Sequence, residues 1–373
     1  MTQWYAPKSG GIRTYLHAKA EYAEARRLRH ALVVPGATAT VARIARTPVV
    51  VVPGLPTAQE TGYRLIPHPR PMIQALDRLQ PTVLVIHDAT SFPRRLCRWA
   101  HTRGIPVVSI VHSELEAGAA GMPTALRLPT QHLLRILQSR GLDGPDAVIA
   151  TSQAVAARLR ERSDAHIYVS PLGVDTKVFC PRALDADYRR QLAEPNETLL
   201  VHAGRLSSEK RPTLLLDVLA GLQGDTVLVV AGAGSAELDM RRRAAELGVT
   251  KRVRFLGHLE SRDDLARLYA TADCFVHVNS GETFGLAPLE AAACGCRVVV
   301  PADCGVAEVV SLDGFHAVQP NSVAALITGV SHALTQPAPL PELDQLSWSR
   351  TFDREWALYG LLAGRAAEGQ HVA

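Results

Sequence analysis

Two carboxylates, Glu282 and Glu290, stand eight positions apart in residues 280–301, SGETFGLAPLEAAACGCRVVVP. The apolar run 274–278 before them reads as a buried strand, residues 285–293 as a helix of small and apolar residues, and CRVVV as a returning strand. Glu282 then lies in the loop ahead of the helix and Glu290 within it. Between them Phe284, Gly285 and Leu286 offer free backbone N–H groups at a helix start, with Gly285 allowing close approach, an arrangement that suits a phosphate. Glu290 is costly to bury on such a helix unless it accepts hydrogen bonds, and a ribose diol supplies two. A capped helix with an exposed glutamate fits the same letters equally well.

Other residues raise parallel questions. Arg205 and Lys210 flank the turn GRLSSEK after an apolar run. Two cations from one strand-to-helix loop suit the two phosphates of a nucleoside diphosphate, Arg as a planar fork and Lys as a point charge; alone, each would read as a surface charge. His112 closes IPVVSIVH, and ligands of doubly wound sheets gather at the carboxyl ends of strands; a core histidine bonded to backbone is the alternative. Ser9, Gly10 and Gly11 form a glycine turn whose amides can approach a diphosphate or sugar, or merely join strand to helix.

The elements that would carry these groups alternate along the chain. ALVVPG, PVVVVPG, TVLVIHD and IPVVSIVH are short β-branched runs separated by Pro and Gly, as buried parallel strands are. AVIATSQAVAARL reads as strand, Ser/Thr cap and helix, and HIYVS as the last strand of a first domain. TLLVHAGRL, a helix from Glu209, TVLVVAG, a helix from Ala236, VRFLG and a helix from Arg262 then build a second parallel α/β domain. The opening is short: only residues 2–5 precede the glycine turn, where a central strand wants five or six apolar residues, so the sheet begins with a clipped strand or the start codon lies upstream. The first helix is expected over residues 12–29 and the domain boundary at about Pro181, and residues 366–373 look frayed.

Composition excludes several classes. A chain of 373 residues, 47% hydrophobic and 20% charged, is an ordinary globular composition with two domains as the default. A net charge of +4 gives no case for nucleic acid. No apolar run reaches the roughly 18 residues of a spanning helix, and no signal peptide opens the chain, so a cytoplasmic protein is expected. Six cysteines include the close trio Cys294, Cys296 and Cys304, but no fourth ligand has a recognisable zinc spacing and buried thiols are expected. Gly232-x-Gly234 lacks a third glycine, Glu237 standing there, so a nicotinamide site is not supported. Two segments join basic and apolar residues at helical spacing. One has Phe92, Leu96 and Trp99 beside Arg94, Arg95, Arg98 and Arg103; the other has Leu126, Leu128, Leu133, Leu134 and Leu137 beside Arg127, Arg135 and Arg140. Each suits an anionic membrane face or an ordinary solvated helix packed on a core.

E-x-F-G-L-x-x-L-E-A, the S-G-G turn, a mid-chain His, P-L-G-V-D-T-K-V-F and H-A-G-R-L-S-S-E-K together resemble, in order and across nearly the whole chain, the family 4 retaining glycosyltransferases. The resemblance implies a GT-B fold of two Rossmann-like doubly wound parallel-sheet domains with a cleft between them. Residues 1–180 would bind acceptor and 181–346 the donor, with a helix from about 347 to 373 crossing back to the first domain. It implies transfer of a hexose from a nucleotide-diphosphate sugar with retention, the departing phosphate accepting the acceptor's proton. Arg205, Lys210, Glu282 and His112 would serve catalysis, His112 contacting the transferred sugar; Gly10, Gly11, Phe284, Gly285, Leu286 and Glu290 would complete the donor site, with no metal or other cofactor. Asp175 in G-V-D faces the donor or caps its turn, and Arg297 departs from the family's usual proline. PLGVDTKVF, VHAGRLSSEK and YAPKSGGIRT most resemble actinobacterial mannosyltransferases of phosphatidylinositol mannosides. That makes GDP-mannose and a glycolipid or other glycan the expected substrates, at the inner face of the plasma membrane. A UDP-sugar with a soluble acceptor, or a nucleotide-sugar 2-epimerase, are the rival readings.

Overall fold

The computed structural model describes residues 1–6, 10–57, 62–87, 92–113, 124–310 and 314–370. Ser9 and residues 371–373 lie outside these, as do the side chains of Leu137 and Arg140. The chain divides into two compact units, Met1–Leu172 with Trp348–Ala373, and Gly173–Ser347. The division precedes Pro181 because the linker belongs to the second unit: Val174 donates to Leu346 O at 2.8 Å, and the fully buried Phe179 packs on Tyr269.

In the first unit, helix α1 (Gly11–Ala25) leads to β1 (Leu32–Gly36), β2 (Thr40–Ile44) and β3 (Thr47–Pro53). The last two form an antiparallel pair, while β1 and β3 run parallel. The exposed β2 was not visible as a strand, since nearly all its side chains face solvent and no apolar run marks it. A minimal hairpin, β4 (Leu55–Pro56) and β5 (Arg64–Leu65), and α2 (Arg70–Leu79) follow. Then β6 (Leu84–His87), α3 (Pro93–His101), β7 (Val107–Val111), α4 (Thr124–Leu142), β8 (Ala147–Ala150), α5 (Gln153–Arg160) and β9 (Ile167–Val169) make a parallel sheet in sequential order. Of the opening segment only Thr2 pairs, in a parallel bridge to His87. Buried β7 and β8 are apolar on both faces, as strands covered by helices on each side must be.

The second unit begins with α6 (Ala186–Leu192) and builds one six-stranded all-parallel sheet. Its elements are β10 (Thr198–Ala203), α7 (Leu214–Gly221), β11 (Thr226–Ala231), α8 (Glu237–Glu246), β12 (Val253–Gly257) and α9 (Arg262–Thr271), followed by β13 (Cys274–Val276), α10 (Leu286–Ala293), β14 (Arg297–Pro301), β15 (Phe315–Val318) and α11 (Val323–Thr335). Strand order is β12-β11-β10-β13-β14-β15, so the chain reverses direction of growth between β10 and β13. The loops after those two strands carry the candidate site, as expected of a topological switch point. No helix begins at Glu209: Ser208–Lys210 is a short 3₁₀ turn, Arg211 takes a left-handed φ of 50°, and Pro212 delays the helix to Leu214.

Candidate active site

In the second unit Lys210, at the end of the turn after β10, forms an ion pair and hydrogen bond with Glu282 Oε1 in the loop after β13. Glu282 Oε2 accepts from Asn279 Nδ2 at 2.7 Å and lies 3.3 Å from His277 Nε2. Burial alone would raise the Glu282 pKa, but Lys210 and His277 outweigh it and hold the carboxyl far below its ordinary range. It is therefore an anion at any working pH. His277 and Asn279 were not singled out in the sequence, although His277 follows a buried strand just as His112 does. Arg205 is exposed after β10 and has no charge partner among the described residues. Its loop is held by a close backbone approach. A Cβ on Gly232 would fall 1.9 Å from Gly204 O, and one on Gly234 2.2 Å from Leu206 O. The glycine pair after β11 thus seats the Arg205 loop.

Three residues beyond Glu282, Gly285 takes φ +98° and starts α10 with no side-chain capping bond. A helix start leaves its first amides unpaired, and Gly285 has no side chain with which to cap them. Phe284 is buried, so only its backbone is available to a ligand; its carbonyl accepts from Val306 N at 2.8 Å and Cys304 Sγ at 3.2 Å. Leu286 is the first residue of the helix. Glu290 faces Tyr269, Arg262 and Cys294, not Glu282. Burial pushes its carboxyl up to about 7, against the pull of Arg262 and Tyr269. The buried Tyr269 hydroxyl itself has no hydrogen-bond partner among the described residues. Glu290 is half-buried on the helix, where a ligand hydroxyl could reach it.

In the first unit Gly10 caps α1 without a side-chain bond and Gly11 opens the helix. His112 follows β7, and its Nε2 lies 3.0 Å from His87 Nδ1 at the end of the neighbouring β6. Burial first, then Lys19, lowers His112 to about 3, and burial, then the Met1 ammonium, His112 and Lys19, lowers His87 well below the ordinary imidazole range. Both rings are neutral, so one donates to the other and each fixes its neighbour's tautomer. The buried Tyr15 of α1 packs edge-on against both imidazoles, with centroids 4.7 Å from His112 and 5.4 Å from His87. Its hydroxyl donates to Glu355 of the C-terminal helix Trp348–Gln370. Lys19 Nζ completes the cluster, 2.7 Å from Glu355 and 2.8 Å from Tyr359 Oη, beneath the rings of Tyr15, Trp356 and Tyr359. That ion pair is buried on both sides, so it locks the helix behind His112; removing one partner would leave an unpaired buried charge.

Other expectations resolve differently. Asp175 caps its own turn through Lys177 N at 3.1 Å and pairs with Arg262 at 3.1 Å, which ties the linker to α9. Arg297 donates to Gln336 O and Asp273 O, bracing the start of β14. All six cysteines are free, with Cys294, Cys296 and Cys304 buried. Among the described residues no three His, Cys, Asp or Glu side chains could hold a metal, and no helix is long and apolar enough to cross a membrane. The basic helix α3 turns Leu96, Cys97 and Trp99 into the core, while Arg94 pairs with Asp143 and Arg103 with Asp77. It has no apolar face to offer a bilayer. In contrast, α4 leaves Leu126, Leu128 and Leu133 each more than half exposed.

Residues 9–178 match the model described as Glycosyltransferase Family 4, and residues 185–346 that described as Glycosyl transferases group 1. The GDP-mannose-dependent alpha-(1-6)-phosphatidylinositol dimannoside mannosyltransferase of Mycobacterium tuberculosis is 33% identical over 319 residues, covering 84% of this chain and 81% of the relative. The D-inositol 3-phosphate glycosyltransferase of Mycolicibacterium smegmatis is 31% identical over 277 residues, covering 70% of this chain and 62% of that protein. Among solved structures, sucrose-phosphate synthase of Thermosynechococcus elongatus superposes with a TM-score of 0.69 at 20% identity, covering 97% of this chain and 93% of that one. Anabaena HepE in complex with UDP and glucose gives 0.65 at 19%, covering 100% and 98%. The fold is GT-B, and the chain belongs to the family 4 glycosyltransferases.

Proposed function

We propose that this hexosyltransferase moves mannose from GDP-mannose to a glycolipid acceptor with retention at the anomeric carbon. The observation that carries the donor half is in the second unit: the Lys210–Glu282 pair stands three residues ahead of a helix start that Gly285 leaves without a side-chain cap. A diphosphate answers the helix start by hydrogen bonding and competes with Glu282 for the Lys210 charge, while the exposed Arg205 has no charge partner among the described residues. The choice of mannose and GDP rests on the printed activity of the Mycobacterium tuberculosis relative.

In this reading Arg205 and Lys210 neutralise the leaving diphosphate, where negative charge grows as the anomeric C–O bond breaks, and the amides after Gly285 add to them. The acceptor oxygen bonds the anomeric carbon on the same face, and its proton passes to the departing phosphate oxygen. Glu282 and His112 orient the sugar's hydroxyls, the neutral His112 acting as a hydrogen-bonding group and not as an acid. Glu290 accepts from the ribose diol, and Gly10 and Gly11 let the first unit's backbone approach the donor. No metal or other cofactor is called for, since two cations and a helix start carry the charge. The exposed leucines of α4, with Arg127 and Arg135 alongside, support a peripheral contact with lipid, which would place the enzyme at the cytoplasmic face of a membrane.

The test is incubation with GDP-mannose, UDP-glucose or UDP-galactose, each with and without a phosphatidylinositol-mannoside acceptor. Mannosylated lipid formed from GDP-mannose alone supports the reading. Turnover only with UDP-sugars overturns the donor assignment, and sugar interconversion without acceptor would make the chain an epimerase.

A further inference from the structure

Behind the Lys210–Glu282 pair of the second unit lies an imidazole whose hydrogen-bonding capacity is unmet. His277 follows β13, and its backbone N donates to Val299 O at 2.8 Å, which fixes the ring at the carboxyl end of that strand. The residue is buried, and neither Nδ1 nor Nε2 makes a hydrogen bond to a described residue. A neutral imidazole carries one donor and one acceptor, and burying both without partners is costly. Nε2 nevertheless lies 3.3 Å from Glu282 Oε2, near enough for attraction but out of line for a bond.

The surroundings leave that ring one direction in which to act. His202 of β10 stacks on it, with centroids 6.1 Å apart and planes inclined by 24°, and His202 Nδ1 donates to Val276 O at 2.9 Å. Burial lowers His202 to about 4, so its ring is neutral and its single N–H is already taken by that carbonyl. The Glu282 carboxylate is the acceptor that remains for His277. Exposure ranks the three groups: the side chains of Lys210 and Glu282 are 35% and 18% exposed, that of His277 8%. A ligand therefore meets Lys210 and does not reach His277. Lys210 carries its charge on a flexible four-carbon stem with three donors, so it can turn to an anion without backbone movement. Glu282 Oε2 keeps its bond from Asn279 at 2.7 Å when that happens, but Oε1 loses Lys210, and the nearest donor not in use is His277 Nε2.

We propose that His277 is a positioning residue that takes over Glu282 when a diphosphate draws Lys210 away. A rotation of the carboxylate toward the ring converts the 3.3 Å contact into a charge-assisted hydrogen bond. The anion then stays in place beside the donor while the cation is released to the phosphates. His277 touches no ligand and acts through the carboxylate, a role that rests on the diphosphate reading of this site.

The test is a double-mutant cycle in nucleotide affinity, measured by calorimetry with GDP and, in parallel, UDP. His277→Leu and His277→Phe each fill the space without a donor, and should weaken nucleotide binding by about tenfold, the value of a hydrogen bond to a charged group. His277→Gln restores an amide donor and should bind within about threefold of the wild type. In Glu282→Gln, where no carboxylate holds Lys210, adding His277→Leu or His277→Phe should change affinity by less than about twofold. Equal losses in the two backgrounds, or no loss in either, would overturn the hand-over. A lowered melting temperature without this pattern of affinities would make His277 a packing residue alone. Nucleotide binding that is undetectable in the wild type, or unaffected by Lys210→Ala, would overturn the diphosphate reading itself and the hand-over with it.

Discussion

Glu290 separates stability from binding, because the two should respond to its removal with opposite signs. Its carboxyl stands at about 7 in the folded protein against 4.5 for the unperturbed group, a difference of about 2.5 units. At 1.36 kcal/mol per unit this is about 3 kcal/mol. A raised folded-state pKa means that the contribution is fully present below pH 4.5, where both states are protonated, and is lost as pH rises through 7. Glu290→Gln keeps the shape and removes the ionisation. The variant should match the wild type at pH 4 and exceed it by about 3 kcal/mol at pH 8, roughly 6–12 °C in melting temperature. Arg262, Tyr269 and Cys294 are the groups facing Glu290, and none is altered by the substitution.

Binding should move the other way. A ribose diol donating two hydrogen bonds to the carboxylate favours its ionised form, so GDP should be bound about tenfold to a hundredfold less tightly by Glu290→Gln at pH 8, the value of hydrogen bonds to a charged group. At pH 6 the wild type must first release a proton, and the gap between the two proteins should narrow. The nucleotide's own phosphate titrates near pH 6, so the informative quantity is the difference between the two proteins, in which the phosphate cancels. Calorimetry in two buffers of unlike ionisation enthalpy would show the proton release directly. Stability curves that run parallel from pH 5 to 9 would refute the raised pKa. A difference in GDP affinity that is absent, or independent of pH, would remove Glu290 from the nucleotide site.

Four further outcomes follow, and a fifth is developed at the end. Arg205→Ala or Lys210→Ala should each weaken GDP binding by about 1.5–3 kcal/mol, and unchanged calorimetric affinity in the double variant would exclude both from the diphosphate. His112→Ala should lower kcat by roughly 10²–10³-fold with little change in donor KM. His87→Phe, which removes only the partner that orients His112, should lower kcat less and leave melting temperature near the wild type; a loss confined to stability would make His87 a core residue alone. Sedimentation with anionic vesicles should exceed that with neutral ones and fall with salt; substitution of Leu126, Leu128 and Leu133 by Ser should abolish it, whereas equal behaviour on both vesicle types points to a soluble acceptor. Glu282→Gln should tighten GDP binding while lowering kcat.

What was legible in the sequence was mostly what repeats locally. The β-branched runs that became β1, β3, β6, β7 and β10 announce themselves because strands buried on both faces are apolar without alternation. Gly285 stood out as a glycine allowing close approach, and its left-handed φ of +98° at the helix entry is a second reason for glycine there. The rest depends on partners distant in the chain. Lys19 looks like a solvated helix residue until Glu355, 336 positions later, closes over it. The arginines of α3 and the leucines of α4 have similar letters, yet one apolar face is core and the other is solvent-facing, a difference set by which helix covers a sheet. His277 and Asn279 escaped notice because their meaning comes from Glu282's carboxylate folding back onto them.

The same folding back gives Glu282 an unusual position among the candidate residues. Without ligand, Lys210 spends its charge on Glu282, while Glu282 is also supported by Asn279 and His277. An arriving diphosphate competes with that carboxylate for Lys210 and is repelled by it. Two unit charges about 4 Å apart interact by about 4 kcal/mol at an effective dielectric of 20, so even partial relief is measurable. Glu282→Gln removes the competitor and keeps the amide in place. GDP, which lacks the sugar, should then bind at least tenfold more tightly than to the wild type. If Glu282 also orients the sugar hydroxyls in the transition state, the same substitution lowers kcat with GDP-mannose, so tighter product binding and slower turnover arise from one change. Weaker GDP binding in Glu282→Gln would mean that the carboxylate instead holds Lys210 in place for the phosphate, and Lys210→Ala would then show the same loss without adding to it in the double variant.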